Sequence, residues 1–123
     1  MEKLLAIQSI SSITGLSSYT LRYYERIGLL SAVNRDENGY RRYTEADVLC
    51  IDFLIKLRKT KMPINEMKKF AELRRKGNST ISERRELLEA HQNKVLAQIK
   101  ELQDDLTKIS EKVDYYKEME GQN

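Results

Sequence analysis

Between Leu88 and Tyr116 an apolar residue returns every three or four positions. Leu88, Gln92, Val95, Ile99, Leu102, Leu106, Ile109, Val113 and Tyr116 are spaced 4, 3, 4, 3, 4, 3, 4, 3, and Gln92 alone among the nine is polar. A 3.5-residue period held over four heptads is the mark of a coiled-coil seam. At about 1.5 Å per residue the stripe runs roughly 43 Å along a helix. A head of 78 residues is too small to cover such a stripe by itself. The stripe calls for a partner helix, and a second copy of the chain is the simplest one. The alternative is an amphipathic helix folded back on its own domain.

Charge divides the chain at about the same place. Residues 1–78 carry 15 Lys and Arg against 9 Asp and Glu, a net of +6, whereas residues 79–123 carry 7 against 10, a net of −3. A basic head suggests an anionic partner, with a solvated helical surface as the plain alternative. The single cysteine, Cys50, excludes an internal disulfide, and with one histidine, His91, it excludes a three- or four-ligand zinc site within one chain. The sequence holds no apolar run of 18 residues and no signal-like N-terminal stretch, so neither a membrane span nor export is expected. A reducing cytoplasm suits such a chain. Nothing resembles a phosphate loop, a nucleophile with its base or a paired-carboxylate cleft, so no enzyme is expected.

Local signals order the head. Ile10 and Ile13 have helical spacing in a segment Ile7 to Thr14 that stops at Gly15. Ser17 can cap a second helix running to about Ile27 and stopping at Gly28. Two short helices around a Gly-containing turn form a helix-turn-helix candidate. Asn38-Gly39 is a hairpin-turn signal, and Tyr40 to Tyr43 reads as its second strand, a wing. Thr44 to Asp47 resembles a capping box opening a helix with Val48, Ile51, Leu54 and Ile55 on one stripe, ending near Lys61. Pro63 to Lys76 forms a fourth helix with Ile64, Met67, Phe70 and Ala71 inward. A second capping box, Thr80 to Glu83, opens the long helix.

Residues 19–43 concentrate the chemistry. They hold five of the seven tyrosines (Tyr19, Tyr23, Tyr24, Tyr40, Tyr43) and five arginines (Arg22, Arg26, Arg35, Arg41, Arg42), while no lysine occurs between Lys3 and Lys56. The guanidinium fork suits phosphates and guanine edges, and tyrosine adds a hydroxyl to a flat apolar body. On a helix from about Ser18, Leu21 and Tyr24 share a face while Tyr19, Arg22, Tyr23 and Arg26 face away. Tyr24 therefore stands open between core and contact.

Thr20-Leu21-Arg22-Tyr23-Tyr24-Glu25-Arg26-Ile27-Gly28-Leu29-Leu30, followed by Gly39-Tyr40-Arg41-Arg42-Tyr43, resembles the head of the MerR family of bacterial transcription regulators. Pro63-Ile64-Asn65-Glu66-Met67 is similar to the start of that family's fourth helix. The long C-terminal helix resembles its antiparallel dimerisation helix, so the similarity covers nearly the whole chain. The resemblance implies a mainly α fold: a winged helix-turn-helix head over residues 1–77, a coiled-coil dimerisation helix over 78–119 and a short tail, 120–123. It also implies a homodimer on a pseudo-palindromic operator in double-stranded DNA. Effector binding in that family bends and untwists promoter DNA, realigning its elements for RNA polymerase.

Carried onto matching positions, Ser18, Tyr19, Arg22 and Tyr23 become recognition-helix contacts, and Tyr40, Arg41, Arg42 and Tyr43 become wing contacts. Arg58 becomes a backbone contact after the third helix. Arg22 can reach either a base edge or a phosphate, and Tyr19 is then a base reader. Leu88, Val95, Ile99, Leu102, Leu106, Ile109, Val113 and Tyr116 form the dimer seam.

Departures from the family pattern bear on the effector. Where its metal sensors carry cysteines, this chain has Ser79-Thr80-Ile81-Ser82 and Gly121-Gln122-Asn123, so neither a metal nor a cofactor is expected. Only Glu118 to Asn123 follow the seam, so no appended effector domain is expected, and no motif specifies a small-molecule effector. An electrophile-linked subgroup has a third-helix cysteine before an apolar-Arg pair. The matching residue here is Lys56, and Cys50 lies six residues earlier, so that chemistry does not carry over. Cys50 reads as a small core residue, with redox sensing as its alternative, and His91 as an interface or solvated residue. Two rivals to a regulator remain: an excisionase-like protein that bends DNA without promoter control, and a coiled-coil adaptor whose basic head binds acidic protein.

Overall fold

The computed structural model describes residues 5–30 and 34–122; residues 1–4 and 31–33, in the expected head, and Asn123, in the expected tail, lie outside the described residues. By its contacts the chain divides into two units, Met1–Arg85 and Glu86–Asn123. The first holds β1 (Leu5–Ala6), α1 (Ile7–Thr14), α2 (Ser18–Arg26), β2 (Asn34–Arg35), β3 (Arg41–Tyr43), α3 (Glu45–Lys59), α4 (Ile64–Arg75), a single 3₁₀ turn at Asn78–Thr80, and the start of α5 (Ile81–Gly121).

Each helix of the head starts and stops for a local reason. Ser17 caps α2 by accepting from the Thr20 N–H at 3.1 Å. At its other end Gly28, with φ +86°, lets Leu29 N–H reach the Tyr24 carbonyl and its own N–H reach that of Glu25. Leu29 and Tyr24 are both buried, which completes a Schellman stop with its apolar contact. The Thr44 box forms in full: Asp47 N–H donates to Thr44 Oγ1 at 3.1 Å, and Thr44 N–H to Asp47 Oδ2 at 2.9 Å. The helix it opens ends at Lys59, short of the expected Lys61. The reason is a second Schellman stop. Lys61 takes φ +74°, Met62 N–H bonds the Leu57 carbonyl, and Met62 and Leu57 are buried together. A lysine holds the left-handed position that glycine usually fills, so spacing alone misplaced the stop.

The core lies among these helices: Ile10, Leu21, Leu29, Tyr43, Ile51, Leu54, Met62 and Met67 are fully buried. On α3, Leu57 joins Ile51 and Leu54, while Val48 and Ile55 are half-buried. On α4, Met67, Phe70, Ala71 and Leu73 are buried, but Ile64 only partly. Phe70 meets the Phe53 ring at 5.8 Å. Ile13, expected beside Ile10, is exposed.

The sheet is antiparallel with order β1-β3-β2. The hairpin forms as expected, but β1 joins it, pairing Leu5 with Tyr43. Two residues show no alternation, which hides such a strand from the sequence. The added strand places β3 centrally.

Thr80 does not act as expected. Its hydroxyl turns back to donate to the carbonyls of Leu73 and Gly77, which anchors the α4–α5 connection instead of capping α5.

In the second unit α5 continues as unbroken helix. Over its whole length it has 41 residues, and His91 is its one buried residue. Leu88 and Val95 are half-buried; Ile99, Leu102, Leu106, Ile109, Val113 and Tyr116 are exposed, as are Leu96 and Met119. Among the described residues, no helix is long and apolar enough to cross a membrane.

Candidate nucleic-acid interface

The buried pair Leu21 and Tyr24 fixes which side of α2 looks outward. Tyr24 is thereby core. Tyr19 is 73% exposed, Arg22 and Arg26 are exposed, and Ser18 and Tyr23 are half-buried. The Arg26 guanidinium sits 5.5 Å from the Tyr23 ring centroid, a cation–π contact. Arg22 forms no ion pair among the described residues.

The wing is braced by acids. Asp36 Oδ1 accepts from the backbone N–H groups of Asn38 (2.9 Å) and Tyr40 (3.0 Å), and Gly39 takes φ +81° to close the turn. The other Asp36 oxygen lies 2.9 Å from Arg42 Nη2. Arg41 Nε donates to Glu25 Oε2 on α2. Arg35 Nη1 donates to the Gly39 carbonyl at 2.9 Å, and its Nη2 lies 3.9 Å from Glu25 Oε1. Tyr40 stands at the tip, 66% exposed.

Arg22, Tyr40, Arg41 and Arg42 line one cleft of about 550 Å³ together with Ala6, Ile7 and Gln8 at the start of α1. No side chain caps α1 at Ala6, so the positive end of its dipole adds to the field there. The cleft thus gathers three arginines, two of them held by Glu25 and Asp36, and a helix N-terminus, an arrangement suited to phosphate oxygens. Arg58 is not part of the cleft. It lies near the end of α3, where its Nη1 donates to the Met62 carbonyl at 3.2 Å.

Two expectations change. Tyr43 is no wing contact: β3 runs between β1 and β2, and the ring lies wholly inside the core. Its hydroxyl has no hydrogen-bond partner among the described residues. Burial lifts its pKa above the usual 10.0, and the Glu25 carboxylate adds to the rise. Tyr43→Phe is therefore expected to keep DNA affinity and to leave stability at neutral pH unchanged or raised, by up to about 1 kcal/mol. Because the unfolded phenol ionises first, wild-type stability is full below pH 10 and declines as pH climbs through the raised folded value. Thermal melts from neutral to alkaline pH check both points: the variant lacks that decline, and a clear neutral-pH loss would contradict the assignment.

Cys50 is the other. It is half-buried rather than core, and Arg74 Nη1 contacts its Sγ. Arg74 lies 24 residues away in sequence, beyond the reach of a neighbour search. Among the described residues, no three His, Cys, Asp or Glu side chains cluster as metal ligands would.

Sequence reasoning missed Glu25 and Asp36 as organisers. Asp36 had a signal, since an Asp two residues before Asn38-Gly39 suits an Asx turn. Glu25 had none, because its partners lie on a hairpin that folds back onto α2.

The MerR HTH family regulatory protein pattern matches residues 5–74 of this chain. The chain belongs to the MerR family. An uncharacterized HTH-type transcriptional regulator of Haemophilus influenzae is 41% identical to it over 102 residues, 83% of this chain and 76% of that one. YyaN, an uncharacterized HTH-type transcriptional regulator of Bacillus subtilis, is 34% identical over 125 residues, 92% of this chain and 91% of its own. Among solved structures, HiNmlR, a MerR family regulator lacking the sensor domain and bound to promoter DNA, superposes with a TM-score of 0.87 at 36% identity, covering 94% of this chain and 92% of its own. A MerR family regulator from Bacillus thuringiensis gives 0.81 at 29% identity, covering 90% and 97%. The MerR head and long helix expected from the sequence are thus the fold that is present.

Proposed function

We propose that this MerR family chain is a dimeric, one-component transcription regulator that binds a pseudo-palindromic promoter operator through α2 and the wing, with RNA polymerase as the partner at that promoter. The observation that carries the reading is the cleft where Arg22 from α2 meets Tyr40, Arg41 and Arg42 from the wing. HiNmlR, similar over nearly all of both chains, is bound to promoter DNA, which supports duplex DNA as the ligand. Ser18, Tyr19, Arg22 and Tyr23 then face the major groove. Tyr40, Arg41 and Arg42 lie over the flanking backbone, and Arg58 contacts a phosphate beyond the cleft.

Dimerisation follows from exposed apolar surface. Six seam residues from Ile99 to Tyr116 are exposed on the single chain, and a stripe of that length needs a cover. An antiparallel second copy of α5 supplies it and fixes the separation of two α2 helices. Distorting the operator costs several kcal/mol, which paired phosphate grips from two heads can offset. The regulator works by binding and distortion rather than by catalysis, in the cytoplasm where the DNA is.

Equilibrium titration against duplexes selected from a random pool, at two salt concentrations, tests the reading. Operator affinity well above that for scrambled duplex is expected, with both falling steeply as salt rises. Binding to acidic protein but not to duplex would instead support the adaptor, and a selected site remote from any promoter the excisionase-like protein.

A further inference from the structure

Glu25 puts a carboxylate in the middle of a basic face. Its side chain is only 18% exposed. One oxygen accepts from Arg41 on β3, and the other lies 3.9 Å from Arg35 on β2. A single carboxylate on α2 therefore holds both strands of the wing. Asp36 does the separate work of ordering the hairpin within itself. Against a polyanion, an acid here costs affinity twice over, by repelling phosphate and by occupying Arg41.

We propose that Glu25 is a positioning residue that sets the reach and angle of the wing relative to α2, so that both meet one operator half-site together. The role rests on the DNA-binding reading above and deepens it. Order built into the free protein need not be imposed on binding. A fixed offset between groove reader and wing favours the sequence whose groove contacts and flank coincide. A scrambled duplex gains nothing from that offset, because phosphates are alike everywhere.

Glu25→Gln keeps the size and an acceptor but removes the charge. Wild type and variant are titrated on selected operator and scrambled duplex at two salt concentrations, with thermal melts alongside. The operator-to-scrambled affinity ratio is expected to fall by about fivefold or more, while affinity for scrambled duplex stays level or rises as Arg41 is released. A variant that binds both duplexes tighter by one factor, with the ratio intact, would show that Glu25 is merely a negative charge. Glu25→Asp retains the charge and shortens the reach: the positioning role lowers its ratio too, and an unchanged ratio overturns the proposal even where Glu25→Gln fails to fold. A wild-type chain that binds neither duplex overturns the DNA-binding reading itself. That result is distinct from failure of the positioning role, in which wild type discriminates and the variants do as well.

Discussion

Ile99→Lys is expected to convert the proposed dimer to monomers and to lower operator affinity by about a hundredfold or more, because a single head loses the benefit of tethered double binding. Ile99 sits near the middle of the apolar stripe and is 46% exposed on the single chain. In an antiparallel pair each copy would carry an ammonium into the seam, where desolvation costs several kcal/mol per charge. Light scattering at micromolar concentration reads the change directly. A stable dimer of the variant would place the interface elsewhere. Orientation has its own signature: residues near Leu88 of one copy should crosslink to residues near Tyr116 of the other, whereas crosslinks between two copies of position 116 would indicate a parallel rod.

Arg22→Ala is expected to have the next largest effect. The cleft gathers Arg22 with Arg41 and Arg42, and Arg22 is the one of them without an ion pair among the described residues, which leaves it available to the phosphate strand proposed above. Losing it from both heads removes two phosphate contacts per dimer, so the slope of log K against log salt should fall by about 2, at roughly 0.9 per contact. Affinity should drop by similar factors for operator and scrambled duplex, since phosphate carries no base identity. Tyr19→Ala is the contrast. From its exposed place at the start of α2 it should weaken operator binding and spare scrambled duplex. If Arg22→Ala instead spares scrambled duplex and costs roughly 1–3 kcal/mol per half-site on the operator, Arg22 reads a base.

Much of the fold was legible because its signals are local. The Thr44–Asp47 box, the Ser17 cap, the Gly28 stop and the Asn38-Gly39 turn each act within a few residues, and each forms. The outward face of α2 followed from Leu21 and Tyr24 as its inward pair. What stayed hidden depends on residues distant in sequence or on backbone choices that side chains do not announce. β1 is too short to show a period, and Tyr43, which it pairs with, is buried in the core rather than exposed on the wing. Arg41 and Arg42 read as free cations but are paired with Glu25 and Asp36, acids that the same basic stretch contains. Lys61 adopts a glycine-like φ because Met62 and Leu57 gain burial by it. Arg74 reaches Cys50 from another helix.

Two chains joined along α5 are expected to seat two α2 helices on one duplex. The mass of the complex on selected operator DNA, measured by light scattering together with a footprint, tests it most directly. Two chains per duplex are expected, with two protected half-sites about one helical turn, roughly 34 Å, apart or a multiple of it. One chain per duplex with a single protected site would contradict it.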